Sequence, residues 1–167
     1  VEELEEKYKA YEYYLDAVKR DGVPYELITK ALPTIEGEVN DILAQLVDFQ
    51  ILFDMDGKNI NNYIVYDDDN TWPLELSSGM ERFISSLAIR VGLINVSNIP
   101  RSNFLAIDEG WGTMDSDNLN SVYSLFQYLK SQFQFTLIVS HIDSMRDAVD
   151  TLLEIKKEKS FSSINFD

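Results

Sequence analysis

Three groups of residues have the types and spacing to do chemistry. The first is Glu75-Leu76-Ser77-Ser78-Gly79-Met80-Glu81-Arg82-Phe83, in which two serines and a glycine precede a helical apolar pattern. Met80, Phe83, Ile84, Leu87, Ala88, Val91 and Ile94 fall on one helix face. Ser78 with Glu81 three residues on is a capping-box pattern, so a helix is expected to start at the serines. Its unpaired N–H groups would point out past Ser77 and Gly79 and attract an anion, phosphate above all. The second group is Asp108-Glu109, which follows the apolar run Phe104-Leu105-Ala106-Ile107. That run predicts a buried parallel strand delivering two carboxylates at its C-terminal end, where open α/β sheets bind ligands. The third is His141, the single histidine of the chain, just after a second apolar run from Phe135 to Val139. Taken singly, each has a plain structural reading: a capped helix, loop carboxylates, a structural histidine.

The elements that must position these groups follow from the pattern. Residues 1–20 read as one helix, with Val1, Leu4, Tyr8, Tyr11, Leu15 and Val18 spaced by three and four. A coiled-coil strand and a packed surface helix both fit that seam. Asp21-Gly22 ends it. Pro24 opens a short helix bearing Leu27, Ile28, Ala31 and Leu32, and Pro33 opens another bearing Ile35, Val39, Ile42, Leu43, Leu46 and Val47. Strands are expected from Gln50 to Met55 and Ile60 to Tyr66, around an Asp56-Gly57 hairpin signal. Asp67-Asp68-Asp69 reads as a solvated loop, because consecutive carboxylates do not converge on one ion without a special turn. After the helix from Ser78 and a loop at Pro100 comes the strand ending at Asp108. A helix capped by Ser116 follows, with Leu119, Val122, Tyr123, Phe126 and Leu129 on one side. Then come the strand Phe135 to Val139, a short helix from Ser144, a strand near Leu152 to Ile155 and a last strand near Phe161 to Phe166. Strand, helix, strand, helix, strand is a βαβ series.

Composition narrows the class. The 167 residues, 45% hydrophobic and 12% aromatic, are enough for one domain with a sizeable core. No apolar run is long enough to span a bilayer. The chain opens at Val1 with no signal peptide and reads as a fragment of an intracellular protein, of cytoplasm or nucleus. With no cysteine, neither a disulfide framework nor a zinc–thiolate site is possible. The net charge of −15 and pI near 4.3 repel DNA and anionic membranes, so basic surface for any DNA contact must come from elsewhere in an assembly.

Taken in order, these groups resemble the C-terminal half of an ABC-type ATPase head. Leu76-Ser77-Ser78-Gly79-Met80 matches the signature motif, usually LSGGQ. Phe104 to Glu109 matches a Walker B strand with its catalytic glutamate. Gly112-Thr113-Met114-Asp115 matches the D-loop, and Ser140-His141 the switch-histidine loop. Ser85-Ser86-Leu87-Ala88-Ile89-Arg90 and the block Asp108 to Asp115 look like the SbcC-type double-strand-break repair ATPases, relatives of the SMC proteins. Gly22-Val23-Pro24 through Glu36 and Asn40-Asp41-Ile42-Leu43 resemble the stretch where that family's coiled coil returns to the head. Ser78 and Met80 depart from the usual signature, and Met80 offers no side-chain amide to a nucleotide. Trp111 and the acidic balance suggest a divergent branch, phage or viral.

The resemblance implies an α/β fold: the C-terminal lobe of an ABC-type P-loop ATPase head, a parallel sheet flanked by helices, over 21–167, with a coiled-coil stub over 1–20. It implies ATP and Mg²⁺. Asp108 would hold the metal, Glu109 would activate water, and His141 would sense the γ-phosphate. Ser77, Ser78, Gly79 and Asp115 would contact a nucleotide bound on a second head. No G-x-x-x-x-G-K-[ST] occurs; the only Gly-Lys, Gly57-Lys58, is followed by Asn59, with Leu52 where the first glycine belongs. The chain is therefore expected to be inactive alone and to hydrolyse ATP only with an N-terminal P-loop lobe. The implied function is ATP-driven head dimerisation controlling DNA-end processing, with a nuclease as partner, DNA held by the complete assembly and no membrane. An SMC-like or recombination ATPase without a nuclease and a non-catalytic interaction lobe are the alternatives. A transport ATPase fits less well, because a heptad helix precedes the signature and membrane features are lacking.

Overall fold

The computed structural model describes residues 2–57, 59–108, 119–141 and 143–166. They fall into two compact units, Val1–Ile99 and Pro100–Asp167.

The first unit begins with α1 (Glu2–Val18), whose expected seam is open: Leu4, Tyr8, Tyr11, Leu15 and Val18 are all more than half exposed. The turn after it closes tightly at Gly22, where an added Cβ would lie 2.5 Å from the Ala17 carbonyl oxygen. Next comes α2 (Val23–Leu43), one helix where two were expected, with Pro33 inside it. An interior proline costs about 3 kcal/mol. The helix continues because Leu32, Val39, Ile42 and Leu43 are buried along it, and a buried aliphatic side chain contributes roughly 1.5–3 kcal/mol.

The hairpin at Asp56-Gly57 forms as expected. Strands β1 (Gln50–Met55) and β2 (Ile60–Asp67) pair antiparallel, with Met55 opposite Ile60. Gly57 takes φ +89°, and Asp56 Oδ1 accepts from the Asn59 N–H at 2.8 Å. A third strand, β3 (Asn70–Pro73), was not anticipated. The acidic triplet makes its turn: Asp67 Oδ1 accepts from the amides of Asp69 and Asn70, both at 3.0 Å. The sheet order is β1-β2-β3. Side chains from α2 occupy the outer edge of β1. Asn40 donates to the Ile51 carbonyl at 2.9 Å and accepts from its N–H at 2.8 Å, while Glu36 accepts from the Phe53 N–H at 2.8 Å. Thus α2 serves as the strand's missing neighbour. A short 3₁₀ turn (Leu74–Leu76) leads into α3 (Gly79–Val96). Ile84, Leu87, Ala88 and Val91 of the predicted face are buried with Val39, Leu43, Ile51 and Ile64, and form the core of this unit.

In the second unit β4 (Phe104–Asp108), α4 (Leu119–Gln132) and β5 (Phe135–Val139) form a βαβ unit with parallel strands. Phe104 stands opposite Phe135, their rings stacked at 5.4 Å. Val122, Leu125, Phe126 and Leu129 of α4 are buried with Ile107 and Phe133. Two expectations are corrected. The parallel sheet has only two strands among the described residues, since β6 (Leu153–Glu158) pairs antiparallel with β7 (Phe161–Phe166). Nor are the two parallel strands buried on both faces. Phe104, Phe135, Leu137 and Val139 are 47%, 57%, 39% and 47% exposed, because α4 and its neighbours cover one side only. The short helix expected near Ser144 is a 3₁₀ turn (Asp143–Ala148).

Candidate functional site

Ser77, Ser78 and Gly79 lie together at the start of α3. The capping box is complete: Ser78 Oγ accepts from the Glu81 N–H at 3.3 Å, and Glu81 Oε2 accepts from the Ser78 N–H at 2.6 Å. The box takes up two of the helix's first donors. The N–H groups of Gly79 and Met80 have no intrahelical partner, as in any first turn. With the positive end of the helix dipole, they make this end favourable for an anion.

Ser77 is not a free surface side chain. Ser77 is 7% exposed, and its Oγ accepts from Trp72 Nε1–H at 3.2 Å. Its own N–H donates to the Leu74 carbonyl at 3.1 Å. Trp72 stacks on Tyr66 at 5.5 Å, and Tyr66 lies against the buried Phe49 at 5.5 Å. The Tyr66 hydroxyl donates to Glu81 Oε1 at 2.5 Å. Burial, reinforced by that bond and by the Glu81 charge, pushes the Tyr66 phenol up to about 12. Burial acts to raise the Glu81 carboxyl, but hydrogen bonds from Tyr66 and Ser78 outweigh it and leave the group below the usual carboxylate range. Sequence reasoning missed Tyr66 and Trp72. The signal available for them was the pair of aromatic residues flanking the acidic turn.

Asp108 and His141 belong to the second unit. Asp108 is the last residue of β4 and stands opposite Val139, two residues before His141. Both therefore sit at the carboxyl end of one parallel strand pair, and both are exposed. An exposed terminal carboxylate is a suitable oxygen donor for a hard divalent cation. Glu109 and Asp115, expected to activate water and to contact the second head, lie outside the described residues. Among the described residues, no cluster of three or more metal-ligating side chains is present, and no helix is long and apolar enough to cross a membrane.

Known proteins share this sequence and fold in part. No family model matches the chain. The uncharacterized protein R555 of Acanthamoeba polyphaga mimivirus is 37% identical over 172 aligned positions, which span 92% of this chain and 13% of that protein. The SbcC component of the SbcCD nuclease from Staphylococcus aureus is 32% identical over 93 positions, 53% of this chain and 9% of that protein. A solved SMC ATPase structure, from work on ATP-driven dimerisation and DNA-stimulated activation of SMC ATPases, superposes with a TM-score of 0.69. It is 14% identical, with 84% of this chain and 88% of that chain covered, and the likeness is one of fold.

Proposed function

This chain is a distant homologue of SbcC over half its length and has the fold of an SMC ATPase head, and from that premise we propose that it is the C-terminal lobe of a split ATP-hydrolysing head. An N-terminal lobe of the same protein supplies the P-loop. ATP then bridges two such heads, and their association controls the processing of DNA double-strand ends with a partner nuclease.

The observation that carries the reading is the open apolar face of β4 and β5. Parallel strands occur almost only with both faces covered. Here Phe104, Phe135, Leu137 and Val139 leave one face exposed, as a surface made to be completed by more of the same head. The 13% and 9% spans of the relatives accord with a lobe of a much longer protein.

Each residue has a task on ATP as substrate. Asp108, at the end of β4, would hold Mg²⁺, which would supply positive charge against the phosphates. Glu109 accepts a proton from the attacking water. His141, at the end of β5, donates to the γ-phosphate and so senses its presence. Ser77, the N–H of Gly79 and the cap at Ser78 receive the γ-phosphate of the nucleotide on the second head. Asp115 links the two sites. Loss of the γ-phosphate removes the shared ligand and releases the heads.

The test uses the full-length protein with ATP and Mg²⁺. Glu109→Gln is expected to lower turnover about 100-fold or more, the usual weight of a general base. Turnover equal to that of the natural protein removes Glu109 from its role. A second reading, an SMC-like ATPase without a nuclease, is favoured by the SMC fold match. Co-purification of a metal-dependent nuclease with the full-length protein separates the two.

A further inference from the structure

We propose that Trp72 and Tyr66 are positioning residues that set the polarity and charge of the α3 entrance for a phosphate group. The inference rests on the reading of Ser77 as a ligand of a nucleotide held by a second head.

A hydroxyl has one proton to donate and two lone pairs to accept with, whereas an indole N–H only donates. At 3.2 Å, Trp72 Nε1–H can only give its proton to Ser77 Oγ. The Ser77 hydroxyl, 7% exposed and with its own backbone N–H tied to Leu74, is left as a donor. A phosphate oxygen is the acceptor that such a group suits. An unheld serine would populate rotamers and hydroxyl orientations that present a lone pair to the phosphate instead.

Tyr66 deals with the opposing charge. Glu81 is a carboxylate in the first turn of the helix, where it would repel an incoming phosphate. The Tyr66 hydroxyl at 2.5 Å and the Ser78 N–H at 2.6 Å take one oxygen each, so the charge is engaged within the cap. Both polar tips are carried by one aromatic ladder, Phe49, Tyr66 and Trp72, with Phe49 4% exposed. The antiparallel sheet, through this ladder, prepares the signature loop.

The experiment is head association of the full-length protein, measured by sedimentation with Mg²⁺ and a non-hydrolysable ATP analogue. Fluorescent-ATP binding to separate heads is measured alongside. Trp72→Phe keeps the ring and drops only the N–H. It is expected to weaken association about five-fold, the weight of one neutral hydrogen bond, with ATP binding to separate heads unchanged. In a Ser77→Ala background the same substitution is expected to have no further effect, because its partner is gone. Association unchanged by Trp72→Phe, or an equal loss in the Ser77→Ala background, overturns the proposal, the latter by showing a general structural role. Ser77→Arg serves as the control for the underlying reading and should abolish association. If Ser77→Arg leaves association intact, the trans-contact itself is wrong. If it abolishes association while Trp72→Phe does not alter it, only the positioning role falls.

Discussion

Tyr66 shows how much one hydroxyl can contribute at the residue scale. Its neutral form is the one that donates to Glu81, and burial disfavours the phenolate further, so its pKa rises to about 12. The sign of the resulting pH dependence follows. In the unfolded chain a tyrosine ionises near pH 10. The contribution of Tyr66 to stability is therefore complete below about pH 10 and is lost as the pH climbs toward 12. Tyr66→Phe is expected to flatten the fall in stability between those limits, and urea denaturation at a series of alkaline pH values checks it. A natural protein and variant with parallel curves would remove Tyr66 as the titrating group. Glu81 adds the acid limb with the opposite sign: its lowered pKa contributes stability above the unfolded carboxylate range, lost as the pH falls through the folded value.

At the element scale, β1 depends on α2 for its edge. Ile51 is 1% exposed, and both its N–H and its carbonyl are bonded to the Asn40 side chain. Alanine at 40 would strand two buried backbone groups. Each unmade bond of this kind costs about 1–3 kcal/mol, so Asn40→Ala should lower unfolding free energy by about 2–6 kcal/mol. Chemical denaturation reads this directly, and a change under about 0.5 kcal/mol, the size of an ordinary surface substitution, would show that water replaces the side chain. The same interplay explains why Pro33 does not divide α2. Leu32 just before it and Val39, Ile42 and Leu43 after it are buried, and Gly92 of α3 allows close approach, since a Cβ there would lie 2.9 Å from Val39 Cγ2.

At the scale of the whole molecule, the dominant quantity is charge. With 29 acidic against 14 basic residues the chain repels a phosphate backbone. Alone it is expected to show no retention on duplex DNA at physiological salt. Retention of the lone chain in a gel-shift assay would contradict this. Within that charged surface, the α1 seam and the β4–β5 face remain apolar and open. Contiguous exposed apolar surface marks interaction sites.

Much of the local structure was legible in the residues themselves. The Ser78–Glu81 box, the Asp56-Gly57 hairpin, the apolar face of α3 and the β4-α4-β5 series arise from interactions between neighbours in the chain or from strong periodicity. These depend little on what packs around them. The order of Ser77-Ser78-Gly79, Asp108-Glu109 and His141 along the chain already carries the resemblance to SbcC, a distant homologue over half its length. Tertiary packing decided the rest. Periodicity could not tell that α2 runs through Pro33, because the competing term is burial against distant residues. Nor could an apolar run reveal that β4 and β5 are covered on one face alone, since hydrophobicity records the wish for burial and not the partner that meets it. Finally, Trp72 and Tyr66 come to Ser77 and the helix cap only because an antiparallel sheet folds them there. A hydrogen bond made across that fold leaves no mark in the spacing of residues.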